Sequence, residues 1–198
     1  KNTIVIDHST ISLDQINKLN KKFKNKLKFL DAPISGGEEG AKKATLTVMV
    51  GGNKKIFEKS KKVISFYSKN ITYIGKSGKG QLAKFTNQIL ICGILYSISE
   101  AYLFSKKNKI DQNKIFNALK NGAAGSWQFQ NRYLTIMENK FNFGFSTELM
   151  VKDLNYVLKQ AKLNNLNLIL TKKVLSKYIT LQKTKYKNQD TSSLIKTF

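Results

Sequence analysis

Cysteine, proline, histidine, tryptophan and arginine each occur only once in the 198 residues, as Cys92, Pro33, His8, Trp127 and Arg132. One cysteine cannot close an intrachain disulfide, and the apolar neighbours of Cys92 read as those of a buried thiol in a reducing compartment, the cytoplasm by default. No metal site is expected. Acidic residues are scarce as well, 12 against 35 basic ones, which leaves a formal net charge of +23 and a pI of about 10.0. Such an excess ordinarily suggests a nucleic acid or an anionic membrane as partner. The lack of arginine argues against this, because base and phosphate readers favour the bidentate guanidinium fork. The lysines are dispersed from Lys1 to Lys196, and Lys, Asn and Ile share AT-rich codons. The charge therefore reads as a solvated surface set by codon composition, and neither nucleic acid nor membrane is expected as a partner. Long apolar runs are missing too. The longest, residues 89–96, is too short to cross a bilayer and reads as part of a core helix, and no signal-peptide pattern is visible.

What is present is globular: 41% hydrophobic and 11% aromatic residues can bury a substantial core in one or two domains. Up to about residue 75 the pattern alternates, predicting strands at 3–7, 28–32, 46–50 and 71–74 and helices at 12–23 and 53–66. Ser12 with Gln15 forms a capping box that fixes the first helix start, and Gly51-Gly52 reads as a turn between strand and helix. From residue 80 onward strand signals vanish. Helices are expected at 81–107, 111–121, 126–137, 147–163 and 168–186, with a last turn at 192–196; Asp111 and Ser126 read as N-caps and Gly122 as a C-cap. The 81–107 segment is apolar on most sides, through Leu82, Phe85, Ile89, Leu90, Ile94, Leu95, Tyr102 and Phe104, and is expected to be buried on several faces.

Two stretches carry chemistry. In DAPISGGEEGA, residues 31–41, Pro33 stops a ladder and Ser35, Gly36 and Gly37 permit backbone shapes that leave N–H groups bare. With the Ser35 hydroxyl they read as a cradle for a carboxylate or phosphate. In GQLAKFTNQ, residues 80–88, Lys84, Asn87 and Gln88 stand at i, i+3 and i+4, so an ammonium and two amides share one helical face. A lysine of adjusted basicity can give or take a proton, and neighbouring amides can orient it and a substrate.

These stretches, with Asp7-His8-Ser9-Thr10-Ile11-Ser12, residues 31–52 (DAPISGGEEGAKKATLTVMVGG), 78–88 (GKGQLAKFTNQ) and Leu149-Met150-Val151-Lys152-Asp153-Leu154, resemble the β-hydroxyacid dehydrogenase family. That family includes 3-hydroxyisobutyrate dehydrogenase and tartronate semialdehyde (2-hydroxy-3-oxopropionate) reductase; the fragment GAAGSW at 122–127 resembles its reductase branch. The resemblance implies an α/β part followed by an all-α part: the C-terminal portion of a Rossmann-like dinucleotide-binding domain, residues 1–76, then a helical 6-phosphogluconate-dehydrogenase-like domain, residues 77–198. It implies NAD or NADP as cofactor, a small carboxylate substrate, and a homodimer or homotetramer. By the same resemblance Lys84 is the catalytic acid or base, Ser35, Gly36, Gly37, Asn87 and Gln88 bind substrate, and Ser9, Thr10 and Lys152 contact cofactor. A second ammonium, Lys152, near Lys84 would favour the neutral form of the latter.

The family's opening GxGxxG turn, which holds the cofactor pyrophosphate, does not precede Asp7. The chain is therefore expected to start late in that domain, lacking roughly ninety to a hundred residues, to leave strand 3–7 without parallel neighbours, and to be inactive by itself. Three departures stand out. His8 replaces a small or apolar residue and reads as structural or peripheral rather than catalytic, Leu13 replaces a common proline, and Ala44 replaces a frequent glycine. Trp127 reads as core or pocket wall. Two other readings of the same scaffold are a non-catalytic basic interaction module and a reductase of imines or other substrates.

Overall fold

The computed structural model describes residues 3–24 and 26–198 and divides the chain into two units, Lys1–Asn87 and Gln88–Phe198. The first unit is built on a five-stranded mixed sheet. Strand β1 (Ile4–Asp7) pairs in parallel with β2 (Lys28–Asp31), and α1 (Leu13–Phe23) connects them. The chain then passes through a two-residue strand β3 (Ile34–Ser35) and a short helix α2 (Gly37–Lys42) into β4 (Leu46–Gly52). Helix α3 (Lys54–Ser65) leads to β5 (Ser68–Gly75), which lies parallel to β4, whereas β2 and β3 pair with β4 antiparallel. Alternation places Leu30, Val48 and Val50 in the core with Leu46, and α3 covers them with Phe57 and Ile64. Burying a side chain of that size contributes about 1.5–3 kcal/mol.

Caps mark the helix starts. Ser12 and Gln15 make the reciprocal capping box at α1, and the Asn53 carboxamide accepts from the N–H groups of Lys55 and Ile56 at α3; such a cap is worth about 1 kcal/mol.

Several expectations for this unit are corrected. Strand β1 keeps one parallel neighbour, because β2 returns beside it. The segment after Pro33 is not a plain turn: Ile34 and Ser35 pair with Val48 and Thr47, and the Pro33 carbonyl accepts from the Met49 N–H. Gly51 and Gly52 are not a turn either; they are the closing residues of β4, opposite Asp31 and Leu30. Strand β5 begins at Ser68, earlier than 71, because its first residues are polar and exposed after Ser68 itself.

The 29-residue helix α4 (Lys79–Lys107) starts in the first unit and continues into the second; at 1.5 Å per residue it is about 43 Å long. In the second unit it is followed by α5 (Gln112–Leu119), α6 (Trp127–Met137), α7 (Thr147–Leu163), α8 (Ile169–Gln182) and a 3₁₀ helix at Thr191–Thr197. Asp111, Ser126 and Ser146 cap α5, α6 and α7 with side-chain oxygens. One core here is Ile98, Tyr102, Phe129, Tyr133, Ile136 and Phe141. Gly122 is not the C-cap of α5, which is Lys120, and α8 stops at Gln182 instead of running to 186. Two residues read as buried on α4, Leu90 and Phe104, are 59% and 69% exposed. By length and composition α4 meets the requirement for a membrane span, with a mean hydropathy of 1.3 in its most apolar stretch, which the eight-residue apolar run did not foretell. Buried Gln81, Lys84, Gln88, Ser99 and Ser105 on the same helix are what a core helix carries.

Candidate functional site

Parallel pairing brings the carboxyl ends of β1 and β2 together, with Asp7 beside Asp31. Loops at the carboxyl ends of parallel strands are where α/β sheets take ligands. His8 and Ser9 leave β1 at this edge. The His8 Nδ1 lies 2.6 Å from the Ala32 carbonyl oxygen, which can only accept, so Nδ1 carries the proton; in the neutral ring Nε2 then accepts from the Tyr67 hydroxyl at 2.9 Å. The sequence offered His8 no partner, and the fold supplies two, consistent with a structural role. Ser9 is exposed and its N–H donates to the Asp7 carboxylate at 2.9 Å; Thr10 follows, half-buried.

The backbone of this loop is held from a distance in sequence. The Gln81 side chain, fully buried in the first turn of α4, accepts from the Ile11 N–H at 3.1 Å and donates to the Ser9 carbonyl at 2.8 Å. Gln81 is itself anchored, its N–H donating to the buried Asp31 carboxylate at 3.2 Å. Asp31 also accepts from the Gly78 N–H at 2.8 Å and the Ser77 hydroxyl at 3.3 Å. Burial pushes the Asp31 carboxyl above its ordinary value, against the opposing pull of those donors. Asp31, β4 and α4 approach so closely that a Cβ on Gly51 would lie 2.6 and 2.7 Å from the two Asp31 oxygens and 2.7 Å from the Gly80 nitrogen.

Lys84 stands one turn beyond Gln81 on α4 and is only 7% exposed, and Asn87, one turn further, is half-buried. A buried lysine in a chain whose other lysines are mostly on the surface is a departure from the usual rule for ammonium groups. In the same unit Ser35 ends β3, and Gly36 and Gly37 open α2 with φ of 123° and 61°. These are left-handed conformations that side chains resist, so the two glycines are needed where they stand. The first turn of α2 has no side-chain cap, and its Glu38 and Glu39 are engaged by Lys42 and Lys43 at 2.6 and 3.2 Å.

In the second unit Gln88 is buried and donates to the Asp153 carboxylate on α7 at 2.6 Å. The Lys152 ammonium lies 3.2 Å from the other Asp153 oxygen and 5.7 Å from the centre of the Tyr156 ring. Trp127 is 55% exposed and so is not a core residue; its ring is covered by the Arg132 guanidinium at 5.0 Å. Arg132 in turn pairs with buried Asp190 at 3.0 Å. The structure thus gathers Ser9, Thr10 and the start of α4 through Gln81, and Gln88 with Lys152 through Asp153. Asp31, Gln81 and Asp153 were passed over in the sequence, where their only signal is that each lies inside a segment already singled out.

Among the described residues no GxGxxG sequence follows a strand and opens a helix. What is present is a serine and a threonine at the carboxyl edge of a parallel pair, on a loop pinned at both Ser9 and Ile11, polar groups of the kind that could meet part of a dinucleotide.

Comparison with known proteins gives the family. Residues 78–198 match the family model described as NAD-binding of NADP-dependent 3-hydroxyisobutyrate dehydrogenase, and residues 1–75 match the NAD binding domain of 6-phosphogluconate dehydrogenase. The chain belongs to the β-hydroxyacid dehydrogenase family, with a partial Rossmann-like sheet followed by a helical domain of the 6-phosphogluconate dehydrogenase type. An uncharacterized oxidoreductase of Shewanella frigidimarina is 39% identical over 193 residues, 97% of this chain and 66% of that protein. The 2-hydroxy-3-oxopropionate reductase of Escherichia coli is 38% identical over 170 residues, 85% of this chain and 58% of the reductase. The crystal structure of a 3-hydroxyisobutyrate dehydrogenase from Salmonella typhimurium superposes with a TM-score of 0.89 at 27% identity, over 98% of this chain and 69% of that one. The chain thus spans less than two thirds of the length of these two curated relatives.

Proposed function

We propose that the protein is an NAD(P)-dependent oxidoreductase that interconverts a small β-hydroxy acid and its semialdehyde, of the 2-hydroxy-3-oxopropionate or 3-hydroxyisobutyrate type. The observation that carries this reading is Lys84, an enclosed lysine on a helix whose first turn is tied to the Ser9 and Ile11 backbone. The 38% identity to a 2-hydroxy-3-oxopropionate reductase supports the substrate class. When bound, the nicotinamide supplies or receives the hydride. In the reducing direction Lys84 protonates the developing alkoxide, so charge that builds on the substrate oxygen is neutralised as it forms. Asn87 donates its carboxamide to the substrate, and Ser35 with the Gly36 and Gly37 N–H groups binds the substrate carboxylate. Gln88 is the second amide assigned to the substrate, with its NH₂ also donating to Asp153. Ser9, Thr10 and Lys152 take the cofactor side.

On this reading residues 1–76 are the remaining dinucleotide-binding domain, which also supplies Ser35, Gly36 and Gly37 to the substrate, and 77–198 are the substrate and dimerisation domain, which also supplies Lys152 to the cofactor; for a homodimer or homotetramer exposed Leu90 and Phe104 on α4 offer apolar surface. The test uses the full-length gene product containing this sequence, followed by NADH and NADPH oxidation with tartronate, methylmalonate and succinate semialdehydes. Turnover of one of them, with Ser35→Ala raising KM about tenfold for loss of a hydrogen bond to a charged group, is the expected result. Cofactor binding without turnover of any of the three would overturn the substrate class.

A further inference from the structure

We propose that Asp31 and Gln81 form a positioning clamp for Lys84, in which Asp31 holds the first turn of α4 from the end of β2 and Gln81 ties that turn to the 9–11 loop. The inference rests on the reading of Lys84 as the proton donor. It starts from a carboxylate with no exposure, in a chain of net charge +23, whose hydrogen-bond donors are two backbone N–H groups and a hydroxyl. Burying an acid on such partners is costly compared with an exposed cap, so the position asks for something a surface cap would not supply. What it supplies is a link between three segments far apart in sequence. Asp31 ends β2, Gly78 and Gln81 begin α4, and through Gln81 the link continues to Ser9 and Ile11.

Both carboxylate oxygens are used: Oδ1 takes Gly78 and Ser77, and Oδ2 takes Gln81. An amide at this place has one acceptor oxygen, and its NH₂ would face an N–H. The surroundings leave no room for adjustment either. A Cβ on Gly80 would lie 2.5 Å from the carbonyl oxygens of Asp31 and Met49 and 2.9 Å from the Asp31 carboxylate. Because Lys84 is three residues beyond Gln81, it shares the face that Gln81 uses to hold the loop. A helix rotated or lifted by a fraction of a turn would carry the lysine with it.

The experiment compares Asp31→Asn, Lys84→Ala and the double variant in the full-length gene product, at a temperature where circular dichroism shows each folded. The semialdehyde turned over by the unaltered protein is the substrate. Asp31→Asn is expected to lower kcat about 10- to 100-fold, the loss that a misplacement of around 1 Å brings, with KM changed less than threefold. In the Lys84→Ala background the same change is expected to have no further effect on the residual rate, because a clamp that acts through Lys84 has nothing left to position. If Asp31→Asn does not fold, Gln81→Met carries the test, since it keeps the helix cap and removes only the two bonds to the loop. Unchanged kcat in the folded variant, or a loss of equal size with and without Lys84, overturns the clamp. An active Lys84→Ala would instead overturn the reading on which it rests.

Discussion

Replacing Gly51 by alanine tests one of the tightest approaches in the first unit. The added Cβ would sit 2.6 and 2.7 Å from the Asp31 carboxylate oxygens and 2.7 Å from the Gly80 nitrogen. Unstrained contacts of this kind lie near 3.5 Å, so the carboxylate or the start of α4 must give way by about 1 Å. Overpacking of that kind costs about 1–3 kcal/mol, and a displaced carboxylate weakens hydrogen bonds worth about 1.5–3 kcal/mol each. A loss of about 3–5 kcal/mol is therefore expected for Gly51→Ala. Gly37→Ala is the control. Its Cβ would meet nothing within 4 Å, so only the φ of 61° opposes it, a penalty of about 1–2 kcal/mol. Urea titration followed by circular dichroism measures both, and at about 2 kcal/mol per molar of urea the midpoints should fall by about 2 M and below 1 M. Equal midpoints for the two variants would refute the account of the contact between β4, Asp31 and α4.

Ala44→Gly should stabilise the protein by about 1 kcal/mol, because Ala44 adopts a φ of 53° on the surface that glycine reaches without strain; an unchanged or lower melting temperature would contradict this. Arg132→Ala should cost about 3 kcal/mol, since it leaves the Asp190 carboxylate buried without its cation. Arg132→Lys should recover only part of that, as lysine cannot stack flat between the Trp127 and Phe143 rings; full recovery in thermal melts would count against the stacking. Burial pushes the Cys92 thiol up to about 12, so it should react slowly with a disulfide reagent at pH 8 in the folded protein and quickly in urea. The raised value favours the folded state below the unfolded value of 9.0 and ceases to do so as pH rises toward 12. Stability of the unaltered protein should therefore fall more steeply above pH 9 than that of Cys92→Ala, and parallel slopes would contradict the burial.

The sequence carried most of the elements because their signals are local. The Ser12 and Gln15 box and the Asp111 and Ser126 caps act within a turn, and α4 shows as a long stretch that is apolar on most sides. Lys84, Asn87 and Gln88 were legible for the same reason, as a helical face. What the sequence concealed depends on partners far along the chain. The two glycines that end β4 look like a turn until Asp31 and Leu30 are seen filling the space where side chains would stand. Strand β3 hides behind Pro33 because only two residues pair, and α2 hides behind three glycines within five positions. The bonds from Asp31 to Gly78 and Gln81, and from Gln81 to Ser9 and Ile11, span 47 to 72 residues and leave no periodic trace. The exposure of Trp127 escaped for another reason: a large aromatic is read as core unless a cation such as Arg132 is known to cover it.

The measurement that bears most directly on the central claim is the turnover of Lys84→Ala, made in the full-length gene product and compared with the unaltered protein on the same semialdehyde and coenzyme. The account predicts a kcat lower by a factor of about 10²–10⁴, the range for removing a general acid, with coenzyme affinity by fluorescence titration unchanged within a factor of about two. Normal kcat, or coenzyme affinity that falls in step with the rate, would contradict the assignment of Lys84 as the group that moves the proton.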